Sequence, residues 1–427
     1  MKLIFLNRYF HPDLSATSQM LSDLAFGLAA QGHRVSIITS RQRYDDATAS
    51  LPAREGVSGV DVHRVWTSRF GRRNLAGRAV DYGTFYISAA LTLWRLARAG
   101  DIVVAKTDPP MLGVISAPVA HARGAYAVNW LQDVFPEVAQ ALGTGGRAFG
   151  RVLSLLARIR NRSLRRAEMN VVIGERMATL LKNLGVPQDR IAIIANWTDC
   201  QSVVPVARAQ NPLRASWGLS EDFVVGYSGN LGRAHEIDTF LDAIARTERD
   251  AAQTAKPIRW LFIGGGAMFE EMRKEAQARE LTTLQFEPYQ PRERLSQSLS
   301  AADVHLVSLR PELEGLIVPS KFYGIAAAGR PAIFIGDPGG EVARLIARFG
   351  CGLTVAQDRG EELAAAVMSL AADPARCDTM GRNGRTAAIA EFDVRSARQR
   401  WEEIIARMTG TAHRVPAPGG GDQIEQQ

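Results

Sequence analysis

The chain has 427 residues, 46% hydrophobic and 22% charged, with a formal net charge of +7, the make-up of a globular protein long enough for two core-forming domains. Its three cysteines, Cys200, Cys351 and Cys377, share no CxxC or Cys/His ligand spacing, which argues against a disulfide framework or a zinc site and fits a reducing cytoplasm. The first apolar run, 3–6, is too short for a signal-peptide core, and no run of eighteen uninterrupted apolar residues occurs, so neither secretion nor a spanning helix is expected.

Short apolar runs bounded by turn residues alternate along the chain with longer amphipathic stretches. Strands are expected at 2–7, 34–39, 61–66, 101–106, 126–131, 169–173 and 191–195, then at 223–228, 259–263, 283–286, 304–308, 332–335 and 352–355. This is the βαβ signature twice over, so the fold class is α/β, with two Rossmann-like doubly wound domains facing a cleft. The expected division is a first domain at 1–196, a linker at 197–220 containing Pro205 and Pro212, and a second domain at 221–393. A helix at 394–408 follows, placed to cross back to the first domain, and a Pro/Gly/Gln-rich tail at 409–427 is expected to be disordered. Charge divides unevenly: residues 1–200 hold 25 Lys and Arg against 15 Asp and Glu, a balance of +10, and the remainder hold 26 against 29.

In open parallel sheets ligands bind at the carboxyl ends of the strands, where helix N-termini present unpaired amides. The first such loop, NRYFHPDLSATSQMLSDLA (7–25), lacks the glycines of a dinucleotide fingerprint, which disfavours a nicotinamide cofactor. Ser15, Thr17 or Ser18 can cap its helix, and a plain capped helix is as good a reading as an anion or acceptor site that includes His11, Ser15 and Thr17. NWLQDVFPEV (129–138) puts Asp133 just past a strand, either to bind a sugar hydroxyl or act as a base, or to cap a helix. GGRAFGRVLSLLARIRNRSLRRAEMN (145–170) combines Arg147, Arg151, Arg158, Arg160, Arg162, Arg165 and Arg166 with an apolar face, and TSRFGRRNLAGR (67–78) adds a second basic patch. Both suit an anionic membrane surface better than nucleic acid, which is not an expected partner.

In the second half, YSGNLGRAHEI (227–237) follows a strand; Gly229 and Gly232 allow close backbone approach, and Arg233 and His235 can donate to phosphate. IGGGAMFEEM (263–272) is a second glycine turn, as readily structural as functional. Glu287 and Tyr289 in FEPYQPRERL can line a base-binding wall, or Tyr289 can cover the core. In EGLIVPSKFYGIAAAGRP (314–331), Pro319 and Ser320 signal a helix start, and Lys321 beside the first amides fits a diphosphate, because a cation is otherwise unfavourable there. Gly324 lies inside that helix, where glycine costs about 1 kcal/mol against alanine.

With these residues in place, the sequence resembles a GT-B glycosyltransferase of the large retaining family 4, in the branch that builds bacterial surface polysaccharides. The carriers are YSGNLG, AADVHLVSL and VPSKFYGIAAAGRPAIF, supported by LAAQGHRVSIITS, QDVFPEV, RRAEMNVVIGERM and NWTD, over 1–408. The resemblance implies a nucleotide-sugar donor, UDP-sugar favoured, held mainly by the second domain, and a polyprenyl-diphosphate-linked saccharide acceptor held by the first. Gly229, Asn230 and Arg233 then lie near the donor phosphates, Lys321 on the diphosphate and Asp133 near the sugar; Gly232, His235, Glu287, Tyr289, Pro319, Ser320 and Gly324 complete the donor site. No DxD occurs, and such enzymes need neither metal nor cofactor. The implied place is the inner face of the bacterial cytoplasmic membrane. The sequence departs from the family's E-x7-E pair: the second glutamate, which holds the donor ribose, falls on Gly324, and the residue eight before it is Leu316. The space at Gly324 is expected to serve the nucleotide, Tyr323, or a glutamate from 312–314. A nucleotide-sugar epimerase of related fold and a catalytically degenerate, membrane-associated assembly partner stay open beside this reading.

Overall fold

Strands apolar along their whole length need cover on both faces, and the chain provides it with two parallel sheets, each sandwiched between helices. The computed structural model describes residues 1–410 apart from 45, 47, 72–74, 144–146 and 255. The basic segments around 72–74 and 145–146 and the tail 411–427 therefore lie in part or wholly outside the described residues. The first sheet comprises β1 (Leu3–Leu6), β2 (Val35–Ser40), β3 (Arg54–Val57), β4 (Val60–Val65), β5 (Ile102–Ala105), β6 (Tyr126–Trp130), β7 (Met169–Val172) and β8 (Ile191–Ile193), in the order β3-β4-β2-β1-β5-β6-β7-β8. The second comprises β9 (Phe223–Asn230), β10 (Ile258–Gly265), β11 (Leu284–Glu287), β12 (Val304–Ser308), β13 (Ala332–Ile335) and β14 (Gly352–Val355), in the order β11-β10-β9-β12-β13-β14. Each expected strand is present within a few residues.

The strand that periodicity missed is β3, which pairs antiparallel with β4 across Ser58 and Gly59, both at positive φ (49° and 80°). A Ser-Gly pair between two runs is a hairpin signal, but Arg54 and Glu55 hid the apolar half of this one.

Alternation along β1 divides the first core. Leu3 and Phe5 face the helices Ala16–Ala30 and Val394–Thr409, whereas Ile4 and Leu6 face Leu75–Leu96 and Leu112–Ala122. The C-terminal helix therefore completes the first domain although it follows the second in sequence. Its Trp401 lies 5.1 Å edge-on from Trp130, which stacks on Trp197 at 5.6 Å. Thr409, assigned to the tail by sequence, ends this helix, its hydroxyl bonded to Ile405 O at 3.0 Å.

The stretch 197–220 is folded onto the second domain. Asn211 caps the short helix Pro212–Ser216 through Leu213 N–H at 3.0 Å, and the buried Arg214 donates to Ala301 O and Leu219 O. Arg385 donates to the carbonyls of Cys200 and Val203. The outgoing and returning crossings lie side by side: Thr198 N–H donates to Phe392 O, Val394 N–H to Thr198 O, and Cys200 N–H to the Asp393 carboxylate. One apolar cluster bridges the domains, joining Leu131, Val134 and Met177 to Leu313, Val318 and Val342.

The basic helix Arg147–Arg166 does not turn all of its arginines outward. Arg160 is buried and ion-paired to Glu137; Glu137 lies in the facing short helix Glu137–Ala141, which is why the sequence alone did not separate Arg160 from the exposed set.

Trp401→Ala is expected to destabilise the protein by about 3 to 5 kcal/mol, the usual loss for a large aromatic truncated in a packed core. Denaturant unfolding followed by Trp130 and Trp197 fluorescence checks this.

Candidate active site

The carboxyl ends of β9 and β12 meet near one ammonium group. Lys321 opens the helix Lys321–Ala327, and its Nζ lies 3.6 Å from the centre of the Tyr227 ring on β9, shielded from solvent and without a hydrogen-bond partner. Burial alone holds its pKa well below the usual lysine range, because a charge taken out of water without a counter-ion is disfavoured. Among the described residues no acidic side chain relieves it. An arriving anion can.

The glycine loops around this ammonium are interlocked. Leu231 N–H donates to Gly265 O at 2.7 Å and Met268 N–H to Leu231 O at 2.9 Å. Gly264 and Gly266 sit at φ 133° and 131°, and a Cβ on Gly266 would lie 2.5 Å from both Asn230 Oδ1 and Leu231 O. The turn 263–272 is thus required by packing, a point its sequence left open. Tyr289 lies over it, half-exposed, with ring carbons 3.2 to 3.3 Å from where a Cβ on Gly264 or Gly265 would sit. Glu287 ends β11 and accepts from Gln285 at 2.9 Å. Arg233 and Asn230 are exposed on the first loop.

His235 does not serve as a cationic phosphate donor. Its Nδ1 lies 2.8 Å from Ser308 O, so that nitrogen carries the proton and Nε2 has none to give. Burial and the neighbouring Lys321 push its pKa down to about 3. The ring therefore pins the loop to β12.

The helix of Lys321 starts without the expected cap: Ser320 is already αR, and its side chain makes no capping bond, while Pro319 is buried behind it. The space at Gly324 is not filled by a glutamate. A Cβ there would find Leu299 Cδ1 at 3.4 Å and Thr198 Oγ1 at 3.9 Å, so the position faces the interdomain crossing. Glu314 instead accepts from Glu341 N–H at 2.8 Å, and the Tyr323 ring packs edge-on against Phe392 at 5.1 Å.

In the first domain, Asp13 organises the loop before the helix Ala16–Ala30. Its carboxylate accepts from Ser15 N–H at 2.8 Å, from the Ser15 hydroxyl and from Tyr44 N–H. Ser15 occupies the cap position but spends its hydroxyl on Asp13, Thr17 O accepts from Lys106 Nζ at 2.9 Å, and His11 is exposed beside Phe26. Asp133 lines a cavity of ≈ 30 Å³ with Lys106, Thr107, Asn129 and Arg160, and its Oδ1 is buried without a partner. Burial pushes its carboxyl up to about 7, Asp108 adding to the effect and Thr107 and Lys106 opposing it. Lys106, stacked 4.0 Å over Trp130, is pushed down to about 7 by the same burial. The Asp133 carboxyl and Lys321 thus occupy separate surroundings, although their backbones meet: Asp133 pairs with Ile317, and Val134 N–H donates to Leu316 O at 3.0 Å. Lys106 and Asp13 escaped the sequence reading, though KTDPP directly after a strand and Pro-Asp before a helix were visible signals.

The Glycosyl transferase 4-like domain family matches residues 16–197, and the Glycosyl transferases group 1 family matches 210–387. The chain is 31% identical over 279 residues to the probable glycosyltransferase WbjE of Pseudomonas aeruginosa, covering 65% of this chain and 67% of that protein. The protein belongs to the family 4 type of GT-B glycosyltransferases. The putative colanic acid biosynthesis glycosyl transferase WcaI of Escherichia coli is 25% identical over 389 residues, 86% of this chain and 91% of WcaI. Among solved structures, sucrose-phosphate synthase from Thermosynechococcus elongatus superposes with a TM-score of 0.76 at 19% identity, covering 96% of this chain and all of that one. Anabaena HepE in complex with UDP and glucose does so at 0.70 and 17%, covering 95% and 100%. These distant likenesses concern the fold.

The two domains of this glycosyltransferase also meet through a carboxylate that sequence reading overlooked. Glu341, after β13, is buried and accepts from Arg176 N–H at 3.0 Å, so it occupies the N-terminus of the first-domain helix Glu175–Asn183. A Cβ on Gly174 would lie 2.5 Å from the Glu341 Cδ. Arg176 in turn pairs with Asp337 at 3.2 Å, and across the cleft Arg292 pairs with Asp23 at 3.2 Å. Gly339-Gly340-Glu341 at a strand-to-helix turn was the available signal; its partner lies 165 residues away and was not.

Gly174→Ala is expected to displace the Glu341 carboxylate and loosen the contact between domains. The radius of gyration by small-angle X-ray scattering should rise relative to wild type, with the melting temperature of each domain little changed; an unaltered radius of gyration contradicts this.

Proposed function

We propose that the enzyme transfers a sugar from a nucleotide-sugar donor, UDP-sugar favoured, to a polyprenyl-diphosphate-linked saccharide in the synthesis of a bacterial exopolysaccharide, capsule or O-antigen. The observation that carries this reading is the buried Lys321 ammonium with no counter-charge at the carboxyl ends of β9 and β12. A diphosphate completes it electrostatically, with Arg233, Asn230 and the glycine loop beside it and Tyr289 and Glu287 as the wall for the base. The HepE complex with UDP and glucose and the names of WbjE and WcaI support donor class and pathway type.

We take the reaction to be retaining and to need no resident metal. The acceptor hydroxyl oxygen bonds to the anomeric carbon on the face from which the phosphate leaves. The bond from that carbon to the phosphate oxygen breaks, and the hydroxyl proton passes to the departing phosphate. Lys321 meets the charge that develops on the leaving diphosphate, a preorganised electrostatic contribution. Asp133, its carboxyl pushed up by burial, contacts a sugar hydroxyl, and the loop of His11, Ser15 and Thr17 receives the acceptor. Among the described residues no helix is long and apolar enough to cross a membrane, and we place the enzyme peripherally on the inner face of the cytoplasmic membrane, where such an acceptor resides.

A donor and acceptor screen, with anomeric configuration read by NMR, tests the reaction; Lys321→Ala is expected to lower turnover at least 100-fold, the scale of losing one strong oxyanion contact. Product formed from donor alone would point to an epimerase instead.

Proton linkage gives a second test. Burial depresses the Lys321 pKa in the free enzyme, and a bound diphosphate raises it, so binding takes up a proton. Affinity for UDP is then expected to fall as pH rises through the interval between the depressed and restored values. Titration calorimetry in buffers of different ionisation enthalpy should show proton uptake in the wild type and less of it in Lys321→Ala.

A further inference from the structure

Two tyrosines stand in water on opposite sides of the cleft. Of the eight in the chain, the exposed ones are Tyr44 in the first domain, at 51%, and Tyr289 in the second, at 59%. Tyr44 follows β2 and Tyr289 follows β11, so both sit in loops at the carboxyl ends of their strands. Those loops face each other. Arg292, just past Tyr289, pairs at 3.2 Å with Asp23 on the helix Ala16–Ala30, and the loop that leads into this helix holds Tyr44 through Asp13. Burial raises the Tyr289 pKa, and Tyr44 across the cleft adds to the rise. Exposed as it is, Tyr44 is fixed: its N–H donates to the carboxylate of the buried Asp13, and its ring meets the buried Tyr9 edge-on at 5.7 Å.

The second domain prepares a flat surface opposite. Gly264 and Gly265 end β10 in register with Gly229 and Asn230 of β9. Gly264 has no room for a side chain, since a Cβ would lie 2.3 Å from Gly229 O. Gly265 is different: the three atoms closest to a Cβ there all belong to Tyr289, the first at 3.3 Å. Its bare backbone therefore serves the Tyr289 ring. Tyr227, whose ring carries the Lys321 ammonium at 3.6 Å, lies two residues before Gly229 on the adjacent strand. A nucleotide with its diphosphate at Lys321 and the glycine loop thus has Tyr289 within reach of its base. The first domain offers Tyr44 on the other side.

We infer that Tyr44 is a donor-binding residue supplied by the first domain: with Tyr289 it bounds one slot for a planar ring, and the base of the nucleotide-sugar fills it. This assignment rests on the nucleotide-sugar reading above and deepens it. Every base has a π-face that stacks on an aromatic side chain, and a tyrosine already held by its neighbours loses little freedom on binding. The slot is complete only while the two domains stand as the Arg292–Asp23 pair holds them. Asp13 is its positioning residue. One carboxylate oxygen accepts from Tyr44 N–H, and the other accepts from the N–H and hydroxyl of Ser15, in the loop given above to the acceptor. A saccharide ring of the acceptor, which can also lie on a tyrosine, is the competing occupant.

The test is titration calorimetry of the full-length enzyme with UDP, GDP and ADP and, separately, with inorganic pyrophosphate. Tyr44→Ala is expected to weaken the nucleotide that wild type binds most tightly at least about fivefold, whereas Tyr44→Phe, which keeps the ring, stays within about twofold. Pyrophosphate affinity and melting temperature should not change in either variant. Asp13→Asn should weaken the same nucleotide, and adding it to Tyr44→Ala should cost little more, because both changes remove one contact. Unchanged nucleotide affinity in Tyr44→Ala overturns the assignment and leaves Tyr44 to the acceptor's saccharide. Equal losses for nucleotide and pyrophosphate overturn it as well, since Tyr44 would then only hold the domains together. A wild type that binds pyrophosphate but none of the three nucleotides gives a different result: it removes the donor reading itself, and this assignment with it.

Discussion

The structure around the cleft turns on a cation that the fold isolates. Lys321 holds its side-chain nitrogen over the Tyr227 ring, beside a histidine that is neutral, and among the described residues no carboxylate offsets a charge there. A buried cation with no counter-ion is among the least favourable features a protein can keep, and burial drives such a group toward its neutral form. The surroundings explain its retention here: His235 is locked to Ser308, the glycine loops are locked to each other, and the neighbouring strands end where the ammonium sits. Protonating Lys321 is costly in the unliganded enzyme, and an arriving anion would offset that cost.

The segment 311–321 connects that site to the rest of the molecule. Its Glu314 side chain supports Glu341, which reaches the first-domain helix Glu175–Asn183; its Leu316 and Ile317 backbone pairs with Asp133 and Val134; its end is Lys321. Three contacts within a few residues therefore set the distance between the domains and the place of the ammonium together. The paired crossings at Thr198 and Asp393 and the Trp130, Trp197 and Trp401 group are the other fixed points. Gly324 lies between these two regions, facing Thr198. A long acidic side chain at this position would enter the crossing or turn toward the donor, and the glycine avoids the first outcome.

The first domain presents a second division of labour. One face of its sheet is closed by the C-terminal helix, which returns after the second domain is complete. The other face is closed by three helices whose outer surface is apolar and basic. The loop 7–15, the Asp133 cavity and the Trp66 to Phe70 loop all lie at carboxyl ends of strands of this one sheet.

Sequence determined what depends on near neighbours. Thirteen strands, the two-sheet architecture, the glycine loop after β9 and the helix start at Lys321 were legible because apolar period and turn chemistry are local properties. The resemblance to family 4 was legible because its motifs are short and ordered. Only the tertiary structure decided which charges are paired and which are stranded. Arg160 and Lys321 look alike in sequence as cations on helices, yet one meets Glu137 and the other meets a ring. His235 reads as a phosphate donor until Ser308 O, seventy-three residues away, accepts the hydrogen bond of its Nδ1–H. Glu341, which sequence reading passed over, accepts from a first-turn amide of a helix of the other domain. Burial and partnership are sums over contacts distant in sequence, so a side chain's protonation and its freedom to bind a ligand could be settled only once the chain was folded.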